Sequence, residues 1–325
     1  MNGVQIKKIS FIAPSTCLPV CEKGLVRKTI RRLKKILGNQ LEVELSPHLF
    51  SSDPVIDHVT APLEARAEVF KKAIREADLI ISVAGGTGAE DILFKIDRKD
   101  YQVIKKRKPI FMGFSDFTFL LNDIHYHTKI PAIYFPTLRL GPGNFKKMAS
   151  LLFDEPVTYH GTLWLTSPPR RKFSGIPIGG NLSTFVNYLN RKDPPTYNWK
   201  RYVLFIEDVQ IDVEDLHRLL AALRRHKVFN DIRGMVVGSL TAYSKNGNYR
   251  MIQREHLRFV RNYLKDIIKK RESRGNPLPI LAVSNFGHNI PNDLMAVPIG
   301  GHVTIDRHKN LTFRLHPPRK NGRKA

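Results

Sequence analysis

The chain has 325 residues, of which 42% are hydrophobic and 25% are charged, so it can bury a core and is neither a disordered tail nor a coiled coil. No stretch approaches the roughly 20 apolar residues of a membrane span. Only two cysteines occur, Cys17 and Cys21, which excludes a disulfide framework and a set of zinc ligands. The length predicts about two domains, and the two free thiols are typical of the reducing cytoplasm, where we expect the protein to act.

Positive charge is the unusual feature of the composition. The chain has 53 Lys and Arg against 29 Asp and Glu, a net charge of +24. Short basic runs occur at 27–35, 105–108, 168–172, 269–274 and 319–324. They are not interleaved with aromatic residues, and no zinc-finger, RRM or basic-zipper signature is present. A solvated basic surface or a preference for anionic small ligands explains the charge more simply, so nucleic acid is not an expected partner.

The first half of the chain alternates predicted strands and helices. Strands are predicted at 7–15, 78–86 and 109–115, and helices at 25–37, 62–78, 89–96 and 116–128. This alternation predicts a parallel sheet covered by helices, in which chemistry takes place beyond the carboxyl ends of the strands.

A basic, Gly- and Pro-containing stretch separates this part from the second half. We therefore predict an N-terminal domain at 1–150, a linker at 151–174 and a C-terminal domain at 175–325. The C-terminal part contains further strands at 201–208, 232–240 and 279–287, helices at 213–227 and 255–270, and a hairpin-like end at 294–315. The expected fold class is α/β, with an N-terminal parallel sheet flanked by helices and a smaller C-terminal α/β domain.

Ser115 is the strongest local candidate for chemistry. It lies at the turn from strand to helix, two residues after Gly113, where a hydroxyl projects over the sheet edge. The amide of Asp116 lies at the start of the following helix and is suited to stabilising an oxyanion. The pattern G-x-S-x-F lacks the last glycine of a nucleophile elbow. Ser115 as a plain helix N-cap therefore stays open as the alternative.

A glycine-rich segment, Gly85-Gly86-Thr87-Gly88, follows the preceding strand and lies at the same sheet edge. A dinucleotide fingerprint would need glycine where Asp91 stands, and a P-loop would need Gly-Lys-Ser/Thr, so nucleotide binding is not supported. A backbone amide from this segment, that of Gly86, is better interpreted as a second oxyanion donor.

A serine nucleophile needs a base and a carboxylate that orients the base. Glu207 ends one predicted strand and His288 follows another, and the order Ser, Glu, His occurs in serine hydrolases. Asp208 is the alternative acid, although alternation along the strand points it to the opposite face. The histidines on predicted helices are expected to be structural: His125, His127, His217 and His226.

As an ordered set, these motifs resemble the LD-carboxypeptidase family of serine peptidases, which includes murein tetrapeptide carboxypeptidases and microcin C immunity proteins. The resemblance covers residues 7–315. The matching blocks are IAPS at 12–15, the segment 64–93, FMGFSDFTFLL at 111–121, GGNLSTFVNYL at 179–189 with LFIEDV at 204–209, and the segment 285–306. With this resemblance, the nucleophile interpretation of Ser115 prevails over the cap.

The resemblance implies a Ser115–His288–Glu207 triad, with the amides of Gly86 and Asp116 forming the oxyanion hole. It implies cleavage of the bond between an L- and a D-centre, which releases D-alanine from a murein tetrapeptide, a small anionic substrate. No metal or organic cofactor is implied, and a homodimer is possible.

The sequence departs from the family pattern in three places. Ala84 replaces an arginine, Thr87 replaces a tyrosine, and Tyr134-Phe135-Pro136 replaces His-Gly-Pro. Loss of the arginine removes a contact suited to a substrate carboxylate, so the identity of the substrate stays open. The alternatives are the same triad acting on another amide, such as a peptide–nucleotide conjugate, and a non-catalytic basic binding protein on a hydrolase scaffold.

Overall fold

The structure is a computed structural model that describes residues 6–318 apart from 57, 139–141, 242–248 and 289–292. The basic run 319–324 and part of the predicted histidine block therefore lie outside the described residues. Two sheets with packed helices make an α/β protein, so the predicted fold class is confirmed.

The first sheet has six strands in the order β12-β5-β4-β3-β1-β2. Its strands are β1 Lys8–Ile12, β2 Glu42–Leu45, β3 Leu79–Ser82, β4 Ile110–Gly113, β5 Ala132–Tyr134 and β12 Val297–Ile299. The first five are parallel, and β12 pairs antiparallel with β5. The second half of the chain thus completes the sheet of the first half.

The second sheet has eight strands in the order β6-β14-β13-β8-β9-β10-β11-β7. Its strands are β6 Val157–His160, β7 Leu163–Trp164, β8 Phe173–Asn181, β9 Tyr202–Val209, β10 Gly234–Thr241, β11 Ile280–Ala282, β13 His302–Ile305 and β14 Asn310–Arg314. Strands β8 to β11 are parallel, and the flanking strands are antiparallel.

The segment 151–174, expected to be a linker, contains β6 and β7. Both strands pair with distant parts of the second sheet, so this stretch is integrated into a core rather than spanning between domains. The prolines and arginines of this segment are concentrated in the loop between β7 and β8. The domain limits themselves stay a prediction.

The helices cover the faces of both sheets. They are α1 Lys23–Leu37, α2 Leu63–Glu76, α3 Arg98–Arg107, α4 Thr118–Thr128, α5 Pro142–Leu152, α6 Leu182–Leu189, α7 Val213–Arg225, α8 Val228–Asp231, α9 Tyr249–Tyr263 and α10 Lys265–Ser273. Short 3-10 helices occur at Val20–Glu22, Glu90–Phe94, Ser115–Phe117 and Trp199–Arg201. Within the described ranges, none of these helices is long and apolar enough to cross a bilayer.

Strand β9 shows how the two halves are held together. Its side chains alternate, so Val203 and Phe205 pack into a core continuous with the first sheet, while Leu204 and Ile206 pack into a second core under α6, α7 and α9. Because one continuous core joins both sheets, their carboxyl edges are fixed relative to each other.

Candidate active site

Ser115 occupies a strained turn between β4 and α4. Its φ is +57°, a left-handed conformation that costs free energy for a residue with a Cβ. The 3-10 helix that Ser115 begins has Phe114 at its N-cap, and this end has no side-chain capping bond. Ser115 is therefore not the N-cap of this helix, and its strained position between strand and helix is one that a nucleophile elbow also requires.

Gly85 packs directly against this turn. A Cβ at position 85 would lie 2.6 Å from Ser115 Cβ, 3.0 Å from Ser115 Oγ and 3.5 Å from the Asp116 nitrogen. Only glycine allows the two loops to approach so closely. Gly86, the predicted oxyanion donor, follows with a φ of +106°.

Arg66 fixes the glycine segment from below. This side chain, only 3% exposed, donates from Nη1 to the carbonyls of Gly88 at 2.6 Å and Pro14 at 2.7 Å, and from Nε to that of Ala61 at 2.8 Å. Its Nη2 also pairs with Asp91 Oδ2 at 3.1 Å. One buried guanidinium therefore ties together three loops at the sheet edge.

The side chain of Asp116 holds the other end of the segment. Its Oδ2 accepts the amide N–H of Ala89 at 2.8 Å. Burial raises the pKa of this carboxyl, although the Ala89 bond opposes the shift. Asp116 is the second residue of its 3-10 helix, so its own amide has no acceptor within the helix and is available to a ligand.

The buried Glu207 and the partly exposed His288 form a pair at the carboxyl edge of the second sheet. Glu207 is 0% exposed, and its Oε2 lies 2.7 Å from His288 Nδ1 and accepts the His288 amide at 3.0 Å. A carboxylate only accepts, so Nδ1 carries the proton and Nε2 is the free basic nitrogen. Burial lowers the pKa of His288, but the Glu207 charge and hydrogen bond outweigh it, and the net shift is upward.

Tyr134 connects this pair to the serine turn. Its hydroxyl donates to Glu207 Oε1 at 2.5 Å and accepts the amide N–H of Ser115 at 3.1 Å. The ring is fully buried, and burial followed by the Glu207 charge raises the pKa of Tyr134 well above its ordinary value. The hydroxyl therefore stays protonated and bridges the two candidate elements.

The residue before Ser115, Phe114, connects the serine turn to the ring of His288. The Phe114 ring lies 4.5 Å from the His288 ring and 4.8 Å from the Tyr134 ring, centroid to centroid. In the part of the chain that is described, no hydrogen bond joins Ser115 Oγ to His288. Such bonds are often long without substrate and tighten when it binds.

The alternative acid, Asp208, serves a different purpose. Its carboxylate accepts from Asn181 Nδ2 at 2.8 Å and from the amide and hydroxyl of Ser183 at 2.9 and 2.6 Å. It therefore fixes the start of α6 on the other face of β9. Away from the site, His125 is buried, and burial lowers its pKa to about 4.

A cavity of about 240 Å³ lies beside Ser115 and is lined by Ala84, Gly85 and Phe114, among others. Its described lining holds one carboxyl, that of Glu22, and no lysine, arginine or histidine. Where the family pattern has an arginine, Ala84 therefore contributes an apolar surface to this cavity. No group of potential metal ligands is found among the described residues.

Sequence reasoning missed the roles of Tyr134 and Arg66. Tyr134 was noted only as a departure from a pattern, although a polar aromatic residue ending a strand next to the serine strand was a usable signal. Arg66 lies four residues before the buried Phe70 on α2. A charge on that face of a helix indicates a buried hydrogen-bonding role.

Comparison with known proteins agrees with this architecture. The LD-carboxypeptidase N-terminal domain profile matches residues 9–135, and the C-terminal domain profile matches residues 174–305. A Treponema pallidum protein named as a carboxypeptidase is 28% identical, with 97% of each chain covered. A Bacillus subtilis protein named as a murein peptide carboxypeptidase is 29% identical over 71% of this chain and 69% of its own.

Among solved structures, microcin C7 self immunity protein MccF in complex with aspartyl sulfamoyl adenosine superposes with a TM-score of 0.74. The two are 20% identical, and the match covers 96% of this chain and 97% of the other. Both domain profiles match in order and together span most of the sequence. The chain belongs to the LD-carboxypeptidase family.

Proposed function

We propose that the protein is a serine-type carboxypeptidase that cleaves an L,D-peptide bond of a murein tetrapeptide-like substrate through Ser115, His288 and Glu207. The observation that carries the proposal is the connected arrangement of Glu207. One carboxylate oxygen orients His288, and the other is joined through Tyr134 to the backbone of Ser115.

In the proposed reaction, Ser115 Oγ attacks the carbonyl carbon of the scissile bond while His288 Nε2 takes the hydroxyl proton. The imidazolium is stabilised by Glu207, consistent with the raised pKa of His288. His288 then gives the proton to the leaving amine, and the acyl group remains on Ser115 Oγ. Water attacks the ester with His288 again as base, which releases the acid and restores the hydroxyl.

The amides of Asp116 and Gly86 are proposed to hold the oxyanion. Neither donates a hydrogen bond elsewhere within the described loops. The carboxylate of Asp116 and the guanidinium of Arg66 keep the two amide-bearing loops in register. Each oxyanion donor is worth about 3–4 kcal/mol of transition-state stabilisation in enzymes where one has been removed.

Release of D-alanine from a murein tetrapeptide tests the proposal. Wild type is expected to release it, and Ser115→Ala to lose the activity, while Ser273→Ala, an exposed serine on α10, retains it. Equal rates for wild type and Ser115→Ala would remove Ser115 from the reaction.

A second candidate keeps the same triad and changes the amide. It is favoured by Ala84, which leaves the described lining of the adjacent cavity without a cation for a substrate carboxylate. A panel comparing the tetrapeptide, its C-terminal amide and an aminoacyl–nucleotide conjugate decides between them. Faster turnover of the conjugate, abolished by Ser115→Ala, would select the second candidate.

A further inference from the structure

A basic groove lies at the edge of the second sheet that is remote from the candidate active site. It has a volume of about 990 Å³ and is lined by residues that immediately precede the four parallel strands, including Arg171 before β8, Lys200 before β9 and Arg233 before β10. Glu207 is five residues along β9 from its first residue, about 17 Å away at ~3.3 Å per residue. The groove and the catalytic edge are thus at opposite ends of the same strands.

Two basic runs that are about a hundred residues apart in sequence converge at this groove. The run 168–172 supplies Arg170 and Arg171, and the run 269–274 supplies Glu272 and leads into the wall at Asn276. An adjoining groove of about 630 Å³ shares Ser167 and Glu272 with the first and adds Arg261, Lys265 and Lys269. Together they present seven lysines and arginines against two carboxylates, Asp231 and Glu272.

These seven cations are unpaired among the residues that the structure describes. Within the described ranges, none of their side chains forms an ion pair or a hydrogen bond, although other basic residues of the protein do. Lys8, for example, pairs with Glu42, Glu44 and Glu76. Because the positive charges outnumber the two carboxylates, they repel one another. A bound polyanion would reduce this electrostatic repulsion.

The walls of the groove are preformed. The buried Arg271 donates from Nη1 to the carbonyls of Phe229 at 3.1 Å and Ile232 at 2.8 Å, and from Nε to that of Asn276 at 2.9 Å. The segments that carry Arg233 and Asn276 are therefore tied together beneath the surface. A ligand meets a surface that is already ordered, which lowers the entropic cost of binding.

The lining chemistry indicates the class of ligand. Three of the four cations in the first groove are arginines, whose planar forks suit phosphate groups. Between the charges lie Phe173 and several prolines, and Trp164 lines the adjoining groove. Cations that follow a backbone beside apolar faces on which bases can stack are typical of single-strand binding sites. An acidic polypeptide would use the charges but not these faces.

We propose that this groove binds single-stranded nucleic acid, with its phosphates on the arginines and lysines and its bases against the apolar lining. The sequence favoured a solvated basic surface because its basic runs are scattered along the chain. The fold brings two of those runs to one edge. Binding there leaves the carboxyl edge of the sheets open.

Fluorescence anisotropy with a labelled single-stranded oligonucleotide of about ten nucleotides, a length within known site sizes, tests the proposal. Two full-length variants, each losing four positive charges, are compared with wild type. In the groove variant, alanine replaces four residues: Arg170, Arg171, Lys200 and Arg233. In the helix variant, alanine replaces four exposed residues on α1: Arg27, Lys28, Arg31 and Lys35.

Wild type is expected to bind the oligonucleotide more weakly as salt increases. Four phosphate contacts, at about 0.7 each, predict that log Kd rises with the logarithm of the salt concentration with a slope of about 3. The groove variant should bind about tenfold more weakly or worse and show a flatter salt dependence. The helix variant should remain within about twofold of wild type. Thermal melting confirms that both variants are folded.

Three results would overturn the proposal. Absence of wild-type binding at low salt would do so directly. Equal weakening in the two variants would assign binding to net charge rather than to the groove. Displacement of the oligonucleotide by phosphatidylglycerol vesicles or polyaspartate at equal or lower anion concentration would assign the groove to a lipid surface or an acidic polypeptide instead.

Discussion

Tyr134→Phe removes one hydroxyl and leaves the shape of the core unchanged. In the described structure that hydroxyl is the only donor to Glu207 Oε1, in a buried bond, and it accepts the half-buried amide N–H of Ser115. A hydrogen bond to a charged group contributes about 1.5–3 kcal/mol, and an unsatisfied buried amide costs about 1–3 kcal/mol. Because the Ser115 amide is only half-buried, its cost is near the lower end of that range, and we expect the free energy of unfolding to fall by about 2.5–4 kcal/mol.

The same change should slow catalysis if Glu207 orients the base. Loss of about 1.5–3 kcal/mol in the transition state corresponds to a decrease in kcat/KM of about 10- to 100-fold, mostly in kcat. A carboxylate with one donor fewer attracts the His288 cation more strongly, so the acid limb of the pH profile should move to higher pH. D-alanine release and the rate of fluorophosphonate labelling of Ser115 both measure the effect.

Tyr159→Phe is the matched control. Tyr159 is also a buried tyrosine whose hydroxyl accepts a backbone amide, that of Ala296 at 3.2 Å, but it has no contact with the proposed triad. It should lose stability without a change in rate or pH profile. If Tyr134→Phe behaves like Tyr159→Phe, the reasoning that Tyr134 positions the triad is wrong.

Three further predictions concern the rest of the site. Gly85→Ala places a Cβ 2.6 Å from Ser115 Cβ and should lower fluorophosphonate labelling by about 100-fold or more. Gly24→Ala, in open space on α1, should leave labelling unchanged, and equal labelling of the two variants would contradict the close approach. Arg66→Lys should lower both kcat and the melting temperature, whereas Arg271→Lys, at another buried arginine, should lower only the melting temperature. A normal kcat in Arg66→Lys would refute the role of Arg66 in holding the three loops of the site. Because the pKa of His288 is raised and its neutral form is the base, kcat/KM should fall as pH drops through a value above 6.5, and a limb below 6.5 would contradict this.

Much of the fold could be predicted because local patterns and tertiary structure agree. The apolar spacing along 25–37 and 62–78 corresponds to α1 and α2, and the strand-to-helix turn at Ser115 follows from the abrupt change of period. The segment 89–96, predicted as a helix, forms only the short 3-10 helix Glu90–Phe94. There, Arg66 and Asp116 hold the backbone against the sheet edge instead of allowing a full helix.

Other elements depend on information that is not local. Helix α3 is rich in lysine and arginine and has a weak apolar pattern, but Asp97 and Asp100 form a capping box that begins it. Strand β2, with alternating glutamates, is a strand because it pairs with β1. The predicted helix 255–270 is two helices, since α9 ends at Tyr263 and α10 begins at Lys265.

The sequence suggests the individual residues of the candidate site but not the network that joins them. Strand ends suggested all three candidates: Ser115 lies just after β4, Glu207 lies near the end of β9, and His288 lies in the loop after β11. The bridge through Tyr134 could not be predicted, because it requires β5 to lie beside β4 and the carboxyl edge of β9 to face both. The convergence of two basic runs at the opposite edge likewise requires the order of strands β8 to β11.

Mass spectrometry after fluorophosphonate treatment tests the central claim most directly, because it needs no knowledge of the substrate. We predict one adduct, on the peptide that contains Ser115, in wild type, no adduct in Ser115→Ala, and labelling slowed by at least about 100-fold in His288→Gln. An adduct at another residue would contradict the claim that the three side chains act as one catalytic unit. Labelling of Ser115 in His288→Gln at the same rate as in wild type would contradict it as well.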